Sequence, residues 1–436
     1  MIRARAALLA LGVLCTVPLA AQQQVKSPPV RPLGPVLARS SEPLGAVSTV
    51  LTLPGGKVLV NDILHRRIVM FDSTLTQVTV VADSTSATAN AYGARGGGLL
   101  SFGGDSALFI DPASLSMMGI DANGALTTVR AVPRATEINL LVGGPNGRPG
   151  FDALGRMIYR GQARQRPRAA TRGGEGTFEL TVQPDSAPIV RVNLLTRRID
   201  TIAMIKIPRT AVQVTRGSDG RMNVQTTINP LPTTDDWALM HDGSVAVVRG
   251  HDFHVDWIDA EGTVTSSPKI LFEWVRLSDE DKETIVDSAK KAVERQRAAA
   301  TRLVGGGGGR GGGRGGAGGE GAPPQRGGGP GGPGGPEGFQ PPTINMIPAR
   351  ELPDYRPPFG LQSALGDLDG LLWIRSSASV GDAGPIYYVI NRQNEVVDRI
   401  QLPQGRMVAG FGKDGIVFMA FRDTEGNNRV ESARWK

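Results

Sequence analysis

Leu53-Pro54-Gly55-Gly56-Lys57-Val58-Leu59-Val60-Asn61-Asp62, continued by Arg67-Ile68-Val69-Met70-Phe71 and Gln77-Val78-Thr79-Val80-Val81, is the first copy of a unit that the chain writes six times. Each unit is an apolar run, a tight Gly turn, a second run, a variable joint, a third run, another turn and a last run. The later copies begin near Phe102-Gly103-Gly104-Asp105-Ser106, Phe151-Asp152-Ala153-Leu154-Gly155-Arg156, Met240-His241-Asp242-Gly243-Ser244, Gly366-Asp367-Leu368-Asp369-Gly370 and Phe411-Gly412-Lys413-Asp414-Gly415. Short β-branched runs punctuated by Gly, Asp and Asn are strands rather than helices. Repeated at this spacing, they read as blades around an axis. The expectation is an all-β chain, a six-bladed β-propeller of four-stranded antiparallel blades over residues 44–436.

The copies are not uniform. The third is split by a polar, Arg- and Gly-rich excursion between Arg156-Met157-Ile158-Tyr159 and Pro188-Ile189-Val190-Arg191-Val192. Residues 211–228 add a hairpin outside the six units, either a decoy or part of a seventh blade. The last unit, ending Arg429-Val430-Glu431-Ser432-Ala433, is one strand short, and residues 47–53 have no partner of their own. Pairing the two ends would close the ring and remove its exposed edges.

Residues 1–21 read as a secretory signal peptide: Arg3 and Arg5, an apolar run too short for a membrane span, then Leu19-Ala20-Ala21. A linker is expected over 22–43. Cys15 is the only cysteine, so the mature chain would hold no thiol nucleophile and no disulfide. The formal net charge of +7 comes from dispersed bases, which suits solubility rather than nucleic-acid binding. Aromatic content of only 5% argues against a sugar- or base-stacking surface. The expected protein is periplasmic or secreted and monomeric, with no nucleic-acid partner and no transmembrane segment.

Val60-Asn61-Asp62 leading into residues 67–72, Val255-Asp256-Trp257-Ile258-Asp259-Ala260-Glu261-Gly262 and Asp367-Leu368-Asp369-Gly370-Leu371-Leu372-Trp373-Ile374 resemble the units of six-bladed propellers of the NHL and TolB-like kind, carried by many secreted bacterial proteins. The resemblance spans most of 44–436 and implies the fold. For function it implies little, because such propellers serve as binding platforms, signalling ectodomains and occasionally lactonases or lyases. The lactonase-like ones hold Ca²⁺ in the channel through Glu, Asn and Asp. Glu137, Asn139, Asn146 and the Asp235-Asp236 pair fall in crossings on the channel side and supply residue types for such a site, but carboxylates and amides are common in loops and no spacing singles these out.

Long insertions fall almost wholly on one class of connection, the second-to-third turns and the blade-to-blade crossings, whereas first-to-second and third-to-fourth turns are tight. Loops on a rigid scaffold carry binding chemistry, so the insertion-bearing face is the expected interaction surface. Arg95, Arg148, Arg356 and Arg406 lie in crossings and form a candidate basic rim, with Asp236 beside them. His251 and His254 frame Asp252 and precede Asp256, a spacing that could reach a metal if a third ligand converged; the ordinary reading is a solvated turn and a strand-face histidine. His65 and His241, single residues beside turns, read as structural. The longest crossing carries a helix over 278–303, with Ser278 as N-cap and Asp281 as partner in an imperfect capping box, and then a Gly/Pro-rich loop over 305–342. Trp237, Trp257, Trp373 and Trp435 are expected to pack between blades.

No nucleophile elbow, phosphate loop or Cys/His cluster is present. The expectation therefore leans against an enzyme: an exported binding propeller recognising a protein or small ligand on its insertion-bearing face, with no cofactor. The alternative is a metal-dependent lactonase or esterase using Ca²⁺ in the central channel.

Overall fold

The computed structural model describes residues 27–85, 92–144, 147–164, 179–182, 184–216, 222–305, 343–378 and 383–436. The expected signal peptide, Asn146 and nearly all of the Gly/Pro-rich loop lie outside these residues. Among those described, the chain forms seven sheets of four or five strands and two α-helices, Ile138–Leu141 and Asp279–Gly305.

Six sheets follow the repeat. The first is Val47–Thr52, Val58–Asp62, Arg67–Phe71 and Val78–Ala82, antiparallel in chain order. The others start with the inner strands Gly98–Phe102, Gly150–Phe151, Asp236–Leu239, Phe359–Gly366 and Met407–Phe411. All six inner strands line one cavity, and neighbouring ones approach closely. At Gly410, for example, a Cβ would stand 2.0 Å from the carbonyl oxygen of Val50. The result is a propeller-like β fold.

Closure differs from expectation. The last sheet gains its fourth strand from Val36–Arg39, which pairs antiparallel with Asn428–Arg434 through Ala38 opposite Ser432 and Arg39 opposite Glu431. Residues 47–53 are not the closing strand, because Val47–Thr52 pairs with its own neighbour, Val50 opposite Val60. Nor is 22–43 simply a linker: Val30–Pro32 adds a parallel fifth strand beside Val396–Gln401. The hairpin of Ala211–Arg216 and Met222–Ile228 joins no sheet around the cavity. With Glu179–Val182 and Thr343–Met346 it makes a separate sheet built wholly from insertions.

One local device sets the tight turns. In Asp121-Ala122-Asn123-Gly124, Asp152-Ala153-Leu154-Gly155, Asp259-Ala260-Glu261-Gly262, Asp367-Leu368-Asp369-Gly370 and Asp423-Thr424-Glu425-Gly426, one Asp Oδ1 accepts from the backbone N–H groups two and four residues on. The carboxylate thereby fixes the reversal before any partner strand is needed. The fourth residue must take a left-handed conformation, as Gly370 does at φ 83°. A Cβ on Gly370 would meet nothing within 4 Å, so only the backbone term operates. Gly370→Ala should cost about 1–2 kcal/mol, measured by urea denaturation; a loss below about 0.3 kcal/mol would mean that the turn relaxes.

Between sheets the core is apolar and aromatic. Trp373, fully buried, meets Trp435 edge-to-face at 5.4 Å, and its Nε1 donates to Asp367 Oδ2 at 2.9 Å. Trp257 Nε1 donates to Asn394 Oδ1 of the next sheet, and Trp237 is buried beside Gly147. The long helix begins as the sequence predicts: Ser278 Oγ accepts from Asp281 N, and Asp281 Oδ2 accepts from Ser278 N. Only a narrow side packs, through Val286 and Lys282, whose Nζ pairs with Asp354 at 2.7 Å. No helix among the described residues is long and apolar enough to cross a membrane.

Candidate functional site

The six inner strands enclose a cavity of about 620 Å³. At one end it reaches the first-to-second turns, through Gly103, Ala153, His241 and Leu368; at the other it meets Val142, Gly143 and Arg148. Its flanks are largely apolar, with Leu51, Leu100, Phe102, Phe151, Met240 and Phe411 on the wall. The cavity therefore extends away from the insertion-bearing face and toward the tight turns.

Arg148 enters from the crossing between the second and third sheets. Its Nη1 donates to the carbonyl oxygen of Ala409 at 3.1 Å and its Nη2 to that of Val408 at 3.3 Å, so the side chain reaches the inner strand of the last sheet. The residue is half-buried, and it lines the cavity. Both acceptors are neutral. No carboxylate pairs with this guanidinium among the described residues, and burial pulls its pKa below the ordinary arginine value, with Tyr387 as the one ionisable neighbour opposing that. A buried cation without a counter-charge is costly.

Among the described residues three other ionisable groups line the cavity: Asp152, His241 and Asp367. Asp152 is tied to Arg156 at 2.7 Å and Arg191 at 3.4 Å besides its turn. Asp367 is tied to Trp373 and its own turn. His241 is exposed and makes no hydrogen bond to the described residues. Arg148 and His241 are thus the two wall groups free to meet a ligand.

The expected basic rim is not assembled. Arg95 is exposed on its crossing. Arg356 stands near the start of the long helix, where its charge helps hold Asp281 below the usual carboxylate range, behind the Ser278 hydrogen bonds. Arg406 pairs with fully buried Glu431 at 2.9 Å and lies over Phe421. Only Arg148 faces the cavity. Asp236 is likewise turned into the framework: its Oδ2 accepts from Ser363 N at 2.6 Å and Ala364 N at 2.9 Å, joining two inner strands. Burial pushes its pKa up to about 6, against those hydrogen bonds.

The metal candidates do not converge. Glu137 Oε2 accepts from the Tyr159 hydroxyl at 2.6 Å and Oε1 from Gln162 N at 3.3 Å. Asn139 is exposed. Asp235 bonds Arg249, Gly250 N and Lys206 N. His254 sits between Asp252 at 2.6 Å and Asp256 at 3.4 Å, while Arg249 also holds Asp256 at 2.7 Å; His251 is exposed. Among the described residues no three His, Cys, Asp or Glu are placed to hold a metal ion. The ionisable residue at the inner end of the cavity is an arginine, the wrong charge for Ca²⁺. The residues present do not fit a channel calcium.

Sequence reasoning picked out Arg148 but set it on a rim, because a crossing residue's direction is invisible in one dimension. It passed over His241, whose only signal is its place one residue before Asp242-Gly243, in a first-to-second turn.

No family model matches the chain, and no curated protein does. Among solved structures it is similar to a gluconolactonase from Xanthomonas campestris, at 10% identity and TM-score 0.37 over 93% of this chain and 99% of that one. It is also similar to virginiamycin B lyase from Staphylococcus aureus, at 10% identity and TM-score 0.37 over 91% and 97%, and to TolB from Acinetobacter baumannii, at 9% and 0.32 over 89% and 64%. At these scores no residue role is transferred. The expectation that leaned against an enzyme is corrected: several of the similar structures bear enzyme names, a streptogramin B lyase and a luciferin-regenerating enzyme among them.

Proposed function

We propose that the protein is an exported six-bladed propeller that works as an enzyme on a small organic molecule held in the axial cavity, hydrolysing an ester or lactone: water gives a proton to the general base as it adds to the acyl carbon, and the alcohol leaves with that proton. The observation that carries this reading is a pair of groups on a largely apolar wall: Arg148 at the inner end, held only by two neutral carbonyls, and His241 at the turn end, with no hydrogen bond to the described residues. An imidazole can both accept and donate a proton in acid–base catalysis, and a fixed guanidinium orients a substrate by binding its oxygens. The six surrounding strands keep the geometry rigid. His241 is the general acid–base group and Arg148 the orienting one.

The test is a panel of esters and lactones assayed with and without chelator. His241→Gln should lower kcat by about 10²-fold, in the range of a lost general base, while chelation should change it little. Activity that survives His241→Gln and disappears with the metal, or a panel with no turnover at all, would sink this reading.

A further inference from the structure

Three of the five N–H donors of Arg148 are not spent on the carbonyls of Val408 and Ala409. No carboxylate among the described residues balances its charge, and the wall around it is apolar. An arginine kept in that state has a place for a counter-ion that the chain itself does not supply. The size of the charge narrows the class. Among the described residues Arg148 is the only lysine or arginine on the cavity wall, so the site neutralises one negative charge, not the two of a phosphate monoester. The reach narrows it further. Arg148 is fastened at Val408 and Ala409, and the same inner strand, Met407–Phe411, runs on to line the cavity with Gly410 and Phe411 before the turn at Gly412. About three residues of strand separate the guanidinium from the turn level where His241 stands, on the order of 10 Å.

Resting on the reading of the cavity as a small-molecule site, we propose that its ligand is an elongated monocarboxylate, with the carboxylate forked on Arg148, an apolar body along the aromatic wall, and the far end at His241. The anchor and the reacting group are then different parts of one molecule. Binding to Arg148 orients the substrate but takes no part in bond cleavage.

The probes are 6-phenylhexanoate and its primary amide, with inorganic phosphate as a third, measured by titration calorimetry on the full chain at low salt. The carboxylate should bind about 30-fold more tightly than the amide, as a forked ion pair replaces a neutral contact. Phosphate at millimolar concentration should not displace it. Arg148→Met should abolish the preference while leaving amide affinity within about threefold. Should Arg148→Met not fold, Arg148→Lys decides: it keeps the charge without the fork and should weaken the carboxylate at least about fivefold with the amide unaffected. Equal binding of acid and amide, displacement by phosphate, or a preference that survives both substitutions overturns the proposal. Carboxylate binding without turnover would count against the enzymatic reading alone, and turnover of neutral esters without any acid preference against this one alone.

Discussion

The double substitution Arg39→Met/Arg406→Met should destabilise the protein by about 3–5 kcal/mol at pH 7, the usual cost of leaving a buried charge without its partner. Glu431 is fully buried, and its two oxygens are held by Arg406 at 2.9 Å and Arg39 at 3.2 Å. Both guanidiniums also lie over the Phe421 ring, at 4.7 and 5.0 Å, so methionine keeps much of the packing and removes mainly the charge. Adding Glu431→Gln to the double variant should recover a large part of the loss, because the uncompensated carboxylate is then gone. Urea denaturation of the three proteins reads this directly. A loss under about 1 kcal/mol, or no recovery with glutamine, would show that the pairs are no more than exposed surface bridges. The result also decides what Arg406 is for: a fastener between the N-terminal strand and the last sheet, not part of a binding rim.

Asp236 should make stability fall as pH rises. Its carboxyl is pushed from 3.8 up to about 6 by burial, against the hydrogen bonds from Ala364, Trp237 and Ser363. The folded state thus binds the proton more tightly than the unfolded chain does. The stabilisation is fully present below about pH 4 and is lost as pH climbs through about 6, with a magnitude on the order of 3 kcal/mol. Other carboxylates, Asp62 among them, are shifted the opposite way, so the observable is a difference. Asp236→Asn, which cannot titrate, should gain on the wild type by about that amount between pH 4 and pH 7 in paired denaturation series. A gap that stays constant with pH would mean that backbone hydrogen bonding outweighs desolvation at this carboxylate.

Much of the architecture was legible because it is written locally. Asp-x-x-Gly turns declare themselves within four residues, and alternation of apolar runs gives the strands between them. The long helix could be placed at Ser278 because its cap is made by residues three apart. What failed to show was anything that depends on contacts distant in sequence. Val36–Arg39 is an unremarkable four-residue run until Glu431 and Ser432 are beside it. Residues 211–228 read as a stray hairpin because their companions, Glu179–Val182 and Thr343–Met346, lie in other insertions. The site was half visible for the same reason. Arg148 could be named from its crossing, but not the direction in which it reaches; His241 could be seen in its turn, but not the cavity behind it.

The closing strand also sets an order of events in time. Val36–Arg39 is made well before its partner Asn428–Arg434, because the strands of the other sheets around the cavity lie between them in the chain. All of that intervening chain must be made before the two segments can meet, and bringing together segments so far apart in sequence is a slow, non-local step. Until then each is an unsatisfied strand edge, open to a neighbouring molecule. Refolding should accordingly end on a late phase that reports on these two segments, and the yield of native protein should fall with concentration during that phase.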